Sequence, residues 1–197
     1  DRAFCMTRPP GHHAEYNRAM GFCFFNNVFI GALHARETHG YKRIAIVDFD
    51  VHHGNGTDNM ARAHEGVFYI SSHEWPLFPG TGNPDNNIDE RILNVTLPHG
   101  AGSKEFRDRY TSIILPSLKS YKPDFLFISA GFDAHKKDHL SGINLENEDY
   151  QWITQKLVEI ANESCDGRIV SVLEGGYNLE ALKDGVALHI KELAEES

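Results

Sequence analysis

Cysteine is scarce in this chain. Its three residues, Cys5, Cys23 and Cys165, are odd in number and none is spaced C-x-x-C, which argues against a disulfide framework and for free thiols in a reducing compartment such as the cytoplasm. No apolar run is long enough to span a bilayer and no signal-peptide pattern is present, so a helical membrane protein is excluded. Positive charge is in deficit: 19 Lys and Arg stand against 28 Asp and Glu. A net charge of −9 argues against direct binding of nucleic acid and suits cationic substrates. Repeats, linkers and low-complexity segments are missing too, and residues 1–197 read as a single domain. The chain opens at Asp1, already in the run-up to a polar loop, which points to an absent N-terminal part that would cover the sheet edge, unless an oligomer does so.

What is present alternates regularly. Short apolar, β-branched runs at 43–49, 67–72, 92–97, 125–130 and 169–173 predict buried strands. Helical spacing fills 25–39, which Gly40 ends, and 106–121, with Ser103 as its N-cap candidate and Pro123 beyond it. Two further helices are predicted over 147–163 and 179–193. Near-continuous apolar strands separated by helices indicate an α/β fold, a parallel sheet with helices on both faces.

Ligands of such sheets bind beyond the carboxyl ends of the strands, and those ends are chemically distinctive here. The first predicted strand runs into Asp48-Phe49-Asp50-Val51-His52-His53-Gly54-Asn55-Gly56. Asp50 and His52 are two apart, so an extended chain would point both to one side, where a cation fits. The second strand ends in Ser71-Ser72-His73, the fourth in Gly131-Phe132-Asp133-Ala134-His135, and the fifth in Glu174-Gly175-Gly176-Tyr177. Asp50, His52 and Asp133 together supply oxygen and nitrogen donors without thiolate, a set for Zn²⁺, Fe²⁺, Co²⁺ or Mn²⁺ with positions open to water and substrate. Near the N-terminus, Arg8-Pro9-Pro10-Gly11-His12-His13 places two histidines after a shaped turn.

These blocks resemble the histone deacetylase family. R-P-P-G-H-H-A at 8–14, G-F-C-F-F-N-N at 21–27, D-F-D-V-H-H-G-N-G-T at 48–57, S-S-H-E-W-P-L-F-P-G-T-G at 71–82, S-A-G-F-D-A-H at 129–135 and L-E-G-G-Y-N-L at 173–179 follow the family's order. The likeness is nearest to bacterial, class II-like members, which include acetylpolyamine amidohydrolases and acetoin-utilisation-type proteins. It implies an arginase/deacetylase-like sheet lacking its N-terminal strands. It also implies a zinc-dependent hydrolase that removes acetyl groups from acetylated lysine side chains or acetylated polyamines.

The resemblance assigns roles as well. Asp50, His52 and Asp133 match the metal ligands, and His13 matches the general base that later acts as acid. His12 is its electrostatic companion, held by Asp48. Asn55 stands where the second histidine's partner belongs, a place that class I members fill with Asp, so His13 should be less basic than in an Asp-paired dyad. Tyr177 matches the phenol that stabilises the oxyanion. Phe22 and Phe78, with Gly21 and Gly176, match the acyl-lysine tunnel, and His53 falls just behind the ligands. Asp48, Asp50 and His52, through their carbonyls, with Ser71 and Ser72, match a structural K⁺ site. A metal-binding domain without turnover is the alternative. An arginase-type ureohydrolase is disfavoured, because Val51, His53, Ala134 and His135 do not supply the extra bridging carboxylates it needs.

Overall fold

Alternation decides how the sheet is buried. In the strand Ile44–Asp48 (β2) Ala45 and Val47 join one core while Ile44 and Ile46 join another, so both faces of the sheet are covered. The computed structural model describes residues 1–195, and the last two residues of the predicted domain lie outside them. Six parallel strands, in the order β1-β6-β5-β2-β3-β4, form one sheet. Besides β2 they are Arg2–Cys5 (β1), Val67–Glu74 (β3), Ile92–Leu97 (β4), Phe125–Ala130 (β5) and Ile169–Leu173 (β6). Helices Asn27–His39 (α1) and Asn55–Ala63 (α2) cover the Ile44 face. Ser103–Arg109 (α3), Leu115–Tyr121 (α4), Asn147–Cys165 (α5) and Leu179–Ala194 (α6) cover the other. Among the described residues no helix is long and apolar enough to cross a membrane.

The five predicted strands and four predicted helical segments are present, three of the strands with the predicted ends and the other elements with shifted ones. Gly40 caps α1 in the left-handed conformation, φ 76°, donating its N–H back to Arg36 O. Ser103 does not cap. Gly102 holds the cap position, and the Ser103 hydroxyl donates to Asp149 Oδ2 at 2.5 Å, tying α3 to α5. The predicted helix over 106–121 widens at Tyr110–Ile114, where Leu115 N reaches back to Tyr110 O just before Pro116, which has no N–H to give.

Besides a short 3₁₀ helix at Pro84–Asn86, two elements go beyond the predicted ones. Strand β1, at the start of the chain, pairs with β6 along the sheet edge, from a four-residue run too short to show a pattern. Helix α2 begins inside the glycine loop, its nine residues including Gly56 and Asp58.

Between α5, α6 and β6 a histidine is buried whole. The Thr154 hydroxyl donates to Tyr150 O at 2.6 Å, so it accepts from His189 Nδ1–H at 2.6 Å, and Ser171 donates to Nε2 at 2.8 Å. This pairing needs a neutral ring, and burial pushes His189 down to about 3. A ring neutral in the fold and protonated when unfolded removes stability as pH falls from 6.5 towards 3. The expected slope is about 1.4 kcal/mol per pH unit. Urea midpoints measured across that window should show a shallower pH slope in His189→Leu than in the parent, at lower absolute stability; equal slopes would contradict it.

Candidate active site

Strand order brings the chemistry together. β2 lies beside β5, and β5 beside β6, so the segments that follow them meet at one edge. β2 ends at Asp48, so strand alternation does not aim Asp50 and His52 as expected. Two successive side-chain turns do. Asp48 Oδ1 accepts from Asp50 N at 3.1 Å, and Asp50 Oδ1 accepts from His52 N at 2.9 Å, curling the chain so that both side chains face inward.

Asp133 enters from the loop after β5, its Oδ1 held by Val51 N at 3.0 Å. Its Oδ2 lies 3.1 Å from His52 Nδ1, which is also 3.2 Å from Asp50 Oδ1. One donor atom from each of the three residues falls within 4.8 Å of the others, and all three residues are buried. Gly175 N donates to Asp50 Oδ2 at 2.8 Å. A Cβ on Gly175 would run into Asp133 Oδ2, and one on Gly131 into Asp50 Oδ2, so the cradle requires glycine at both.

The charges fit a cation. Burial works against both carboxylates; His12 and His52 hold Asp50 down, while the charge of Asp50 adds to burial in pushing Asp133 up. Against its own burial, hydrogen bonds to Asp133 and Asp50 push His52 up to about 11. Two adjacent buried carboxylates demand positive charge between them. A divalent ion answers that demand with hard oxygen and imidazole donors.

The histidine turn is fastened to β6 and its loop by a two-way clasp. Glu174 Oε2 accepts from Gly11 N at 2.7 Å and His12 N at 3.0 Å, and Ser129 donates to Oε1 at 3.0 Å. In the other direction Arg8 donates to the carbonyls of Glu174, at 3.0 Å, and Gly176, at 2.9 Å. Burial raises Glu174 to about 7.

Within the turn the two histidines differ. His12 Nδ1 lies 2.9 Å from Asp48 Oδ2, which also accepts from the Tyr69 hydroxyl at 2.8 Å. Burial opposes its charge, but Asp48, Asp50 and Glu174 hold His12 up to about 10. His13 Nδ1 lies 2.9 Å from Asn55 Oδ1, and its ring centre is 4.1 Å from that of His12. Burial and the neighbouring His12 charge push His13 down to about 3. One ring is cationic and the other neutral.

His13 faces a pocket of about 560 Å³ lined with it by Gly21, Phe22, His52, Leu77, Phe78, Leu140 and Tyr177, while His12 lies buried behind it. Phe22 and Phe78 are 68% and 48% exposed at its mouth. The Phe78 ring meets His13 at 5.1 Å, and Phe22 meets Tyr177 at 6.0 Å. Burial and the two carboxylates raise Tyr177, which keeps its phenol protonated.

A family model described as "Histone deacetylase domain" matches residues 1–193. The chain belongs to the histone deacetylase family. It is 45% identical over 216 residues to Type-2 histone deacetylase 2 of Dictyostelium discoideum, covering 100% of this chain and 13% of that protein. To Histone deacetylase 14, chloroplastic, of Arabidopsis thaliana it is 43% identical over 98% of this chain and 47% of that one. The solved HDA15 HD domain is similar with a TM-score of 0.88 at 38% identity, over 96% of this chain and 54% of that one. The chain thus spans about half the length of the Arabidopsis Histone deacetylase 14 and of the solved domain, and much less of the Dictyostelium protein.

Against the histone deacetylase expectations, the structure brings together Asp50, His52, Asp133, His12, His13, Asp48, Asn55, Tyr177, Gly21, Phe22 and Phe78. Two placements differ. Gly176 does not line the pocket; its carbonyl receives Arg8, and a Cβ there would meet Leu182 and Phe132. His53 turns away from the ligands, to Thr81 Oγ1 at 2.8 Å and Asp58 Oδ2 at 3.3 Å. The Ser71 and Ser72 hydroxyls bond His73 Nδ1 at 2.9 Å and Tyr110 at 2.8 Å.

Other residues carry weight without having been assigned it. Glu174 and Arg8 form the clasp, and Leu77 and Leu140 complete the pocket wall. Asp138 Oδ2 accepts from Tyr177 N at 2.7 Å and Asn178 N at 3.1 Å, while its Oδ1 takes Leu140 N. A lone carboxylate at the end of an apolar strand was the available signal for Glu174. Replacing Glu174 by Ala strands three buried donors, at an expected cost of about 2–4 kcal/mol. Urea unfolding measures it, and a loss below ~0.5 kcal/mol would show that the clasp does not fasten the turn.

Proposed function

We propose that this chain is the catalytic part of a metal-dependent hydrolase that removes acetyl groups from acetylated lysine side chains or acetylated polyamines. The observation that carries the reading is convergence: a three-donor cluster, a cationic–neutral histidine pair and a protonated phenol at one apolar pocket. A divalent cation held by Asp50, His52 and Asp133, which we read as zinc with Fe²⁺ as the alternative, would acidify a water and polarise the amide carbonyl.

The chain's own groups do the rest. Asn55 Oδ1 accepts from His13 Nδ1–H, so Nε2 is the atom left to take a proton from water and pass it to the leaving amine nitrogen. His12, charged against Asp48, keeps its neighbour neutral and ready to accept. The Tyr177 hydroxyl donates to the carbonyl oxygen as negative charge develops there. Phe22, Leu77, Phe78 and Leu140 surround a methylene chain and exclude water from it.

The same reading puts a structural K⁺ against the carbonyls of Asp48, Asp50 and His52, with Ser71 and Ser72 alongside. It places the protein in the cytoplasm, where Cys5, Cys23 and Cys165 stay free thiols. A metal-binding domain without turnover is the second reading, favoured by the exposure of Phe22 and Phe78 at an open mouth.

Acetate release from acetyl-lysine peptides and acetylpolyamines decides between them. We expect turnover that a chelator abolishes and added zinc restores. Tyr177→Phe should lower kcat by roughly 10²–10³-fold, the usual loss of one oxyanion donor. A metal-loaded protein extended to the full family domain that still released no acetate would sink the hydrolase reading, and turnover of acetylpolyamines alone would end the lysine part of it.

A further inference from the structure

The pairing of His13 with an amide leaves a question that a carboxylate would not. A carboxylate offers only acceptors, whereas an amide presents an oxygen on one side and an NH₂ on the other. With its oxygen towards His13 Nδ1, Asn55 requires the proton on Nδ1 and leaves the Nε2 lone pair free. Flipped, its NH₂ would donate to Nδ1, the ring proton would sit on Nε2, and no lone pair would face the pocket. The amide's orientation therefore sets the tautomer.

We propose that Glu15 is the positioning residue that fixes this orientation, acting through Asn55 on His13. Asn55 Nδ2 donates to Glu15 Oε1 at 2.7 Å, the shortest of its contacts. The other acceptors around Nδ2 are neutral and farther away, His13 O and Met20 Sδ, each at 3.3 Å. A hydrogen bond to a carboxylate is about twice as strong as a neutral one, and a flip would turn Asn55 Oδ1 against that negative charge. Glu15's other partner is weak by comparison: Arg18 Nη2 stands 3.4 Å away with most of its side chain exposed. The chain folds back at this point, Glu15 N donating to Arg18 O at 3.0 Å, and the Asn55 amide stands between Glu15 Oε1 on its nitrogen and His13 Nδ1 on its oxygen. His13, Asn55 and Glu15 thus form a three-residue relay whose last member, partly exposed, does not line the pocket.

The effect on turnover rests on the proposed hydrolase reading; the effect on the ring does not. The test uses the full chain with ¹⁵N-labelled histidine, zinc-loaded, with His13 assigned by its loss in His13→Gln. Long-range ¹H–¹⁵N correlations should show the Nδ1–H form in the parent and in Glu15→Gln, whose side-chain oxygen still accepts. Glu15→Ala should show a substantial Nε2–H fraction and a kcat lowered about tenfold with KM within about twofold, the loss of roughly one charge-assisted hydrogen bond. In an Asn55→Asp background, removing Glu15 should no longer lower kcat, because the acceptor cannot flip and the neighbouring charge only repels it. A Glu15→Ala ring that stays wholly Nδ1–H overturns the proposal whatever happens to kcat. Absence of turnover in the parent counts against the hydrolase reading alone, and the tautomer then decides the role of Glu15.

Discussion

The dominant constraint on this molecule is two buried carboxylates, Asp50 and Asp133, pressed against one imidazole. Moving such ions out of water costs several kcal/mol each after relaxation, and a protein tolerates it only when every oxygen has a partner. Here the partners are backbone N–H groups of Val51, His52 and Gly175 together with the His52 ring. Those contacts need close approach, which is why Gly131 and Gly175 lack room for a Cβ. The cationic His12 follows from the same field, since Asp50 and Glu174 join Asp48 in holding its proton.

From that centre outward, each layer is fastened by a charge to a backbone segment rather than to another charge. Glu174 receives the histidine turn, Asp138 receives the Tyr177 backbone, and Arg8 grips the carbonyls on either side of Gly175. Side-chain–backbone bonds of this kind fix a loop's path as well as its distance. The pocket wall can then be apolar, because the loops behind it are already held. Loops so tied resist displacement, and this matters where a phenol and an imidazole have to meet one carbonyl carbon.

The neutrality of His13 has a counterpart elsewhere. His73 and His189, like His13, are buried rings pushed well below the ordinary histidine range, yet each sits between hydrogen-bond partners that suit one neutral tautomer. In His73 the Nε2–H goes to Gly82 O and Ser71 donates to Nδ1, the reverse of His13. Burial alone thus does not choose a tautomer; the flanking groups do.

From apolar period and polar strand ends, both local properties of the chain, the sequence determines the fold class, five of the six strands and the donors Asp50, His52 and Asp133, whereas His12, His13, Asn55, Phe22 and Phe78 are assigned only by the family resemblance. It determined even the convergence of Asp50 and His52, though through side-chain turns encoded by D-x-D-x-H and not through the strand alternation first inferred. Strand β1 escaped because four residues carry no period, and α2 because glycine masked its start. Tertiary structure alone decided the order β6-β5-β2, and with it the meeting of Asp133, Asp50 and Glu174 from segments far apart in the chain. It also turned His53 away and gave Glu174, Asp138 and Glu15 their partners. A carboxylate's role depends on which backbone groups and amides lie within 3 Å of it, and neighbours brought together by strand order leave no spacing to read.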